Sequence, residues 1–226
     1  MNTKEDIKQM MVDVRKAHRL IYQYQNRMIQ LANRIKTEYD LNNPVGRKRF
    51  SNPIGTTRRE NDYQEANLRV HDKWAWDMLY SYEFEYYFGK VIRNGLAGCL
   101  SVFQLSDNGY YMADGYYREQ NKSEGHISKE KIEKFWPSED SSSYLILAFE
   151  VFPEAEYRYF FRHPKDSVVS LYGGECDTLT KSHDRNIFVA KRYPIKDFFS
   201  RETVSETLTE FAKLVRQKTS YSLISE

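Results

Sequence analysis

Cysteine is scarce: Cys99 and Cys176 are the only two, far apart, with no metal-like spacing. A zinc module and a disulfide scaffold are therefore not readable, and a reducing cytoplasm is the expected setting. Long apolar runs are missing too. The longest spans about eight residues around Tyr144 to Phe149, against the roughly 20 that cross a bilayer. The first residues read as a charged amphipathic pattern rather than an apolar leader, so no membrane contact is expected. Glycine and proline number only 10 and 6 in 226 residues, which argues against low-complexity and collagen-like chains. There is no Gly-rich phosphate loop ending in Lys-Ser/Thr and no dinucleotide fingerprint, so no cofactor and no metal are expected.

What is present is a heptad pattern. Ile7, Met10, Val14, Ala17, Ile21, Tyr24, Met28, Leu31 and Ile35 alternate at spacings of three and four, all apolar or aromatic. That is the a/d seam of a helix packing along another helix. Thr3 can cap its start, Glu5 and Asp6 suit the positive end of the macrodipole, and Asn42-Asn43-Pro44 ends it. A rod of about 38 residues spans on the order of 57 Å at about 1.5 Å per residue, too long to bury on a body of this size. A second stripe of Tyr22, Ile29 and Ala32 assigns the C-terminal half to the chain's own body. The N-terminal half, Ile7, Met10, Val14, Ala17 and Ile21, is left for self-association. The flanking g positions, Asp6, Asp13, Leu20, Arg27 and Arg34, run from acidic to basic and favour an antiparallel second copy. A homodimer is the expectation.

Charge is distributed unevenly. Residues 1–70 carry 14 Lys/Arg against 8 Asp/Glu, and from Val14 to Arg59 there are 11 basic residues against only Glu38 and Asp40. Arg15, Lys16, Arg19, Arg27, Arg34 and Lys36 lie outside the seam, and Arg47, Lys48, Arg49, Arg58 and Arg59 follow in a turn-rich stretch. Such a block suits an acidic partner, with RNA or DNA favoured over an acidic protein surface. Tyr22, Tyr24, Tyr39 and Phe50 interleave as possible stacking surfaces.

The expected organisation is a helical rod over 1–40, a basic linker over 41–62 and an α+β domain over 63–226. Within the last, a helix is expected over 62–79 and a strand over 80–92. Leu100–Leu105 and Tyr110–Ala113 read as a hairpin turned at Asn108-Gly109. A short helix over 128–135, strands over 144–152, 157–162, 167–172 and 187–193, and a loop over 173–185 follow. Ser200 caps a last helix with Val204, Leu208, Phe211 and Val215 on one face. Hairpin-linked strands with helices at the ends suit an antiparallel or mixed sheet in an α+β fold.

Candidates for catalysis are thin, and the balance is against an enzyme. Glu150 stands in an apolar strand, where a carboxylate needs a partner. With Asp107, Asp114 and Lys191 it would form a carboxylate-plus-lysine cluster for a metal-dependent nuclease or phosphodiesterase. The usual one-residue spacing of Glu and Lys fails, because Val151 and Phe152 follow Glu150. Arg158 and His163 stand four apart, as in certain metal-free ribonucleases, but Pro164 breaks the helix that those need. Cys176, His183 and Asp184 share a loop without the geometry of a thiol site.

Overall fold

The computed structural model describes residues 4–50, 82–120, 126–127, 132–153, 164–183 and 185–224. It is an α+β fold: a long N-terminal helix, a six-stranded antiparallel sheet and further helices on both faces. The elements are α1 (Lys4–Glu38), β1 (Val45–Lys48), β2 (Glu83–Arg93), β3 (Leu96–Leu105), α2 (Gly109–Gln120), a 3₁₀ turn (Ile132–Lys134), β4 (Tyr144–Pro153), α3 (Pro164–Tyr172), β5 (Thr178–His183), β6 (Asn186–Pro194), a 3₁₀ turn (Ile195–Phe198) and α4 (Arg201–Thr219). The sheet order is β1-β2-β3-β4-β6-β5, each neighbouring pair antiparallel. No helix among the described residues is long and apolar enough to cross a membrane.

Strand alternation sorts the side chains onto two faces. Phe84, Tyr86 and Phe88 of β2, Leu100 and Val102 of β3, and Leu145, Leu147, Phe149 and Val151 of β4 point to one face. Met28, Leu31, Ala32 and Ile35 of α1 and Val204, Leu208, Phe211 and Val215 of α4 close over it. On the other face Phe103, Leu105, Ile146, Ala148, Phe188 and Ala190 pack under Val168, Leu171 and Tyr172 of α3. Beside them lies an aromatic cluster of Phe50, Tyr82 and Tyr110 with Phe135 and Trp136. Helix α4 begins as expected: the Ser200 side chain accepts from the Thr203 amide, satisfying an otherwise orphaned donor of the first turn.

Four expectations need correction. The Asn108-Gly109 hairpin does not form; α2 starts there. Both edges of β3 are already taken, by β2 and β4, so no edge remains for a returning strand. Asp107 Oδ1 accepts from the Gly109 amide at 2.7 Å, and Asn108 bonds Ser142 through both its amide and its Oδ1. The tight turn sits instead at Asn94-Gly95, between the paired Arg93 and Leu96, with φ of 52° and 73°. Two successive positive φ values are what a type I′ hairpin requires.

Residues 167–172 are helical rather than extended. Val168, Leu171 and Tyr172 fall at i, i+3 and i+4, and all three are buried. The loop expected over 173–185 contains β5, a largely exposed polar edge strand without apolar alternation. The linker expected over 41–62 is in part a sheet element, because Val45–Lys48 pairs with Phe84–Tyr87 as β1. The remainder of that linker, the 62–79 helix, the 157–162 strand and the start of the 128–135 helix lie outside the described residues, as do Thr3, Arg58, Arg59, Arg158, His163 and Asp184.

Candidate functional site

Helix α1 changes environment midway along one continuous seam. Its 35 residues span about 52 Å at about 1.5 Å per residue. The C-terminal seam residues Met28, Leu31 and Ile35 are buried on the sheet, whereas Ile7, Met10, Val14, Ala17 and Ile21 are exposed. Ile21 and Ile35 occupy the same heptad position, yet Ile21 is 50% exposed and Ile35 is 0%. The division into two halves is the expected one, but the second stripe contributes little to it. Ala32 is buried, while Tyr22 and Ile29 remain in solvent.

The boundary between the halves is fastened by residues assigned above to the basic block. Arg27 Nη2 donates to the Phe198 and Phe199 carbonyls, both at 3.2 Å. Arg34 Nη2 donates to the Arg201 carbonyl and to Ser205 Oγ, both at 2.8 Å. Lys36 Nζ donates to Asn43 Oδ1. Arg49 forms an ion pair with the fully buried Glu85, and the Arg47 guanidinium stands 5.2 Å from the centre of the Tyr87 ring. Charge that the sequence offers to a partner is thus partly spent inside the fold. Arg15, Lys16 and Arg19 remain, all exposed on the projecting half. Lys16 contacts Asp13, whose carboxyl is held below the ordinary carboxylate range by hydrogen bonds from Gln9 and Lys16. The Lys48 side chain lies outside the described set.

The four carboxylate-and-lysine candidates do not meet. Lys191 pairs in register with Leu147, on the face that α1 and α4 cover, and forms an ion pair with Glu210 of α4. Glu150 pairs with Cys99 and Phe188 and so belongs to the opposite face. There burial, aided by the charge of Glu150, pushes the Cys99 thiol up to about 12. Asp107 initiates α2. Asp114 is buried on α2 and is engaged three ways. Oδ1 accepts from the Ile127 amide at 2.9 Å, while Oδ2 lies 2.8 Å from His126 Nδ1 and 3.3 Å from Arg118 Nε. Asp114 and His126 line a cavity of about 570 Å³ with Tyr110, Tyr111, Tyr116 and Trp136, where the buried carboxylate fixes the orientation of an exposed imidazole. Among the described residues no group of three or more His, Cys, Asp or Glu has the arrangement to hold a metal ion. Cys176 packs against the α3-side core, and His183 ends the exposed strand β5.

Sequence reasoning missed the most heavily buried acids. Glu83 and Glu85 are 0% exposed on β2. Glu83 accepts from the Tyr111 hydroxyl at 2.6 Å and the Tyr172 hydroxyl at 2.8 Å, tying β2 to α2 and α3. Burial, with Glu83 nearby, raises both phenols well above their ordinary value. Glu85 accepts from Arg49 and, at 2.7 Å, from Ser101 Oγ. The signal was in the alternation: Phe84, Tyr86 and Phe88 claim one face, so Glu83 and Glu85 must share the other. That face is also buried, and hydrogen-bonded partners follow from the cost of burying a bare carboxylate.

Comparison with curated proteins and with solved structures finds no match. A family model matches nearly the whole chain, over residues 4–220, and the chain belongs to the family it describes, PM0109.

Proposed function

We propose that this protein is a non-enzymatic cytoplasmic interaction module, which self-associates through the projecting half of α1 and engages an acidic partner, nucleic acid first, through the basic residues on that half. The observation that carries the reading is the exposed seam. Five successive a/d positions, Ile7 to Ile21, stand in solvent, while the same seam is buried from Met28 onward. A lone exposed leucine means little, but a contiguous apolar stripe marks a surface that excludes water when occupied. Two unpaired cysteines, Cys99 and Cys176, support a reducing compartment.

Arg15, Lys16 and Arg19 lie on the projecting half outside the stripe and support a polyanionic partner, because phosphates are bound by such arrays through charge and counterion release. The separation of Lys191 from Glu150 by the thickness of the sheet weighs against the nuclease reading.

The test is binding of a short labelled RNA or DNA across a salt series. The expected result is affinity that falls steeply with salt, and a shallower slope in Arg15→Ala/Arg19→Ala. Salt-independent binding, or none, would remove nucleic acid as the partner. Recovery of an acidic protein through the same residues would favour an acidic protein surface as the partner.

A further inference from the structure

We infer that the projecting half of α1 is covered by a second copy of this chain running antiparallel, in a register that sets Ile7 against the partner's Tyr24, Met10 against the partner's Ile21 and Val14 against the partner's Ala17. This rests on the self-association proposed above and adds direction, register and consequence to it.

Direction follows from the body. Met28, Leu31 and Ile35 continue the seam of Ile7 to Ile21 and face the chain's own sheet. The body therefore occupies the seam side of the helix from Tyr24 onward. A parallel partner lying on the exposed seam would have to run on through that sheet. An antiparallel partner places its own body at the far end of the coil, so the two bodies do not compete for the same stretch of seam.

Register follows from overlap and charge. The alignment above covers every exposed seam residue and ends at Tyr24, which is half-buried against the chain's own core and accepts from Ser106 Oγ. In antiparallel coils g positions face g positions. Asp6 then meets the partner's Arg27, and Asp13 meets the partner's Leu20, so no like charges oppose each other at the g positions. Arg27 uses Nη2 on the Phe198 and Phe199 carbonyls, and a guanidinium has five N–H donors. Phe199, a large exposed apolar side chain beside that contact, stands where the partner's first turn arrives.

The arrangement also sorts the charge. Positions b and e of both copies line one groove, which receives Lys8, Met11, Arg15, His18 and Tyr22, all exposed and none acidic. Asp6 and Asp13 line the other, together with Lys16 and the partner's Arg27. The two-fold axis falls between residues 15 and 16, so Arg15 and the partner's Arg15 flank it on the basic side. A polyanion lying along this groove touches both copies, and its binding favours the dimer by linkage.

The experiment is pulsed dipolar spectroscopy on the full chain in a Cys176→Ser background, with one spin label per chain at Gln9→Cys, Lys16→Cys or Gln23→Cys. Antiparallel packing predicts a V-shaped profile. The labels at 16 are nearly level, whereas those at 9 and 23 are offset along the axis by about 20 Å and about 22 Å, at about 1.5 Å per residue. Equal distances at all three positions would overturn the antiparallel arrangement while leaving a dimer. No dipolar coupling, together with a mass of 27.0 kDa, would overturn the self-association itself.

Discussion

Two isoleucines on one helix make a controlled comparison. Ile21 and Ile35 share the a position of the heptad and differ only in what lies opposite: solvent for one, the core of the α1/α4 face for the other. Replacing Ile35 by Ala removes buried methyl and methylene groups and leaves a cavity beneath a helix held by Arg34, which cannot settle freely into the gap. Such changes cost about 2–5 kcal/mol. Alanine's better helix propensity returns only a few tenths. For a chain of 226 residues, each kcal/mol moves the melting temperature by about 2–4 °C, so a drop of about 6–12 °C is expected for a mid-range cost of about 3 kcal/mol. Ile21→Ala removes a half-exposed side chain that belongs to no core cluster and gains propensity, so its melting temperature should stay within about 2 °C of the parent. The assay is thermal unfolding by circular dichroism, at a protein concentration low enough for light scattering to report the monomer. Equal losses for the two variants would refute the division of α1 into a packed and a projecting half.

Three further outcomes follow from the described geometry. Tyr172→Phe removes one of the two hydroxyls on buried Glu83 and should cost about 1–3 kcal/mol in urea unfolding, because the carboxylate keeps its burial and loses a donor. Gly95→Ala should cost roughly 1 kcal/mol from backbone conformation alone, since φ is 73° and open space surrounds the added methyl. Alkaline pH should destabilise the fold. Burial pushes Cys99 and Tyr110 up to about 12 from ordinary values of 9.0 and 10.0, so above pH 9 the unfolded chain gives up protons that the native state retains. Stability should therefore be full below pH 9 and fall as the pH rises toward 12. Urea midpoints at pH 8, 9.5 and 11 that rise or stay level would contradict this, as would alkylation of native Cys99 as fast as Cys176 at pH 8.5.

The parts of the fold legible in the sequence were those whose apolar period was long and unambiguous. Nine seam residues marked α1, the Ser200 cap and a four-residue stripe marked α4, and the apolar run from Tyr144 marked β4. Where two local signals competed, only tertiary context decided. Both Asn94-Gly95 and Asn108-Gly109 are hairpin dipeptides. The first turns because β3 needs β2 beside it; the second starts a helix because both edges of β3 are taken. Ser167–Tyr172 is too short for alternation to be told from a helical face, and the burial of Leu171 beside Tyr172 settles it. Strand β5 carries no apolar signal, being held by backbone pairing to β6 at an exposed edge. The basic block was visible as charge, but charge density does not reveal that Arg27, Arg34 and Arg49 are occupied by carbonyls and a buried acid. Glu83 and Glu85 were hidden for the opposite reason: their alternation was read for the aromatic face only.

On the reading proposed above, the exposed seam of α1 is an occupied surface in solution. Light scattering coupled to size exclusion, over a range of protein concentrations, tests it most directly. The expected mass approaches twice 27.0 kDa as concentration rises and returns to 27.0 kDa in Ile7→Glu/Val14→Glu, with the melting temperature of the monomer unchanged. A mass of 27.0 kDa at every concentration, or a dimer that survives both glutamates, would contradict it.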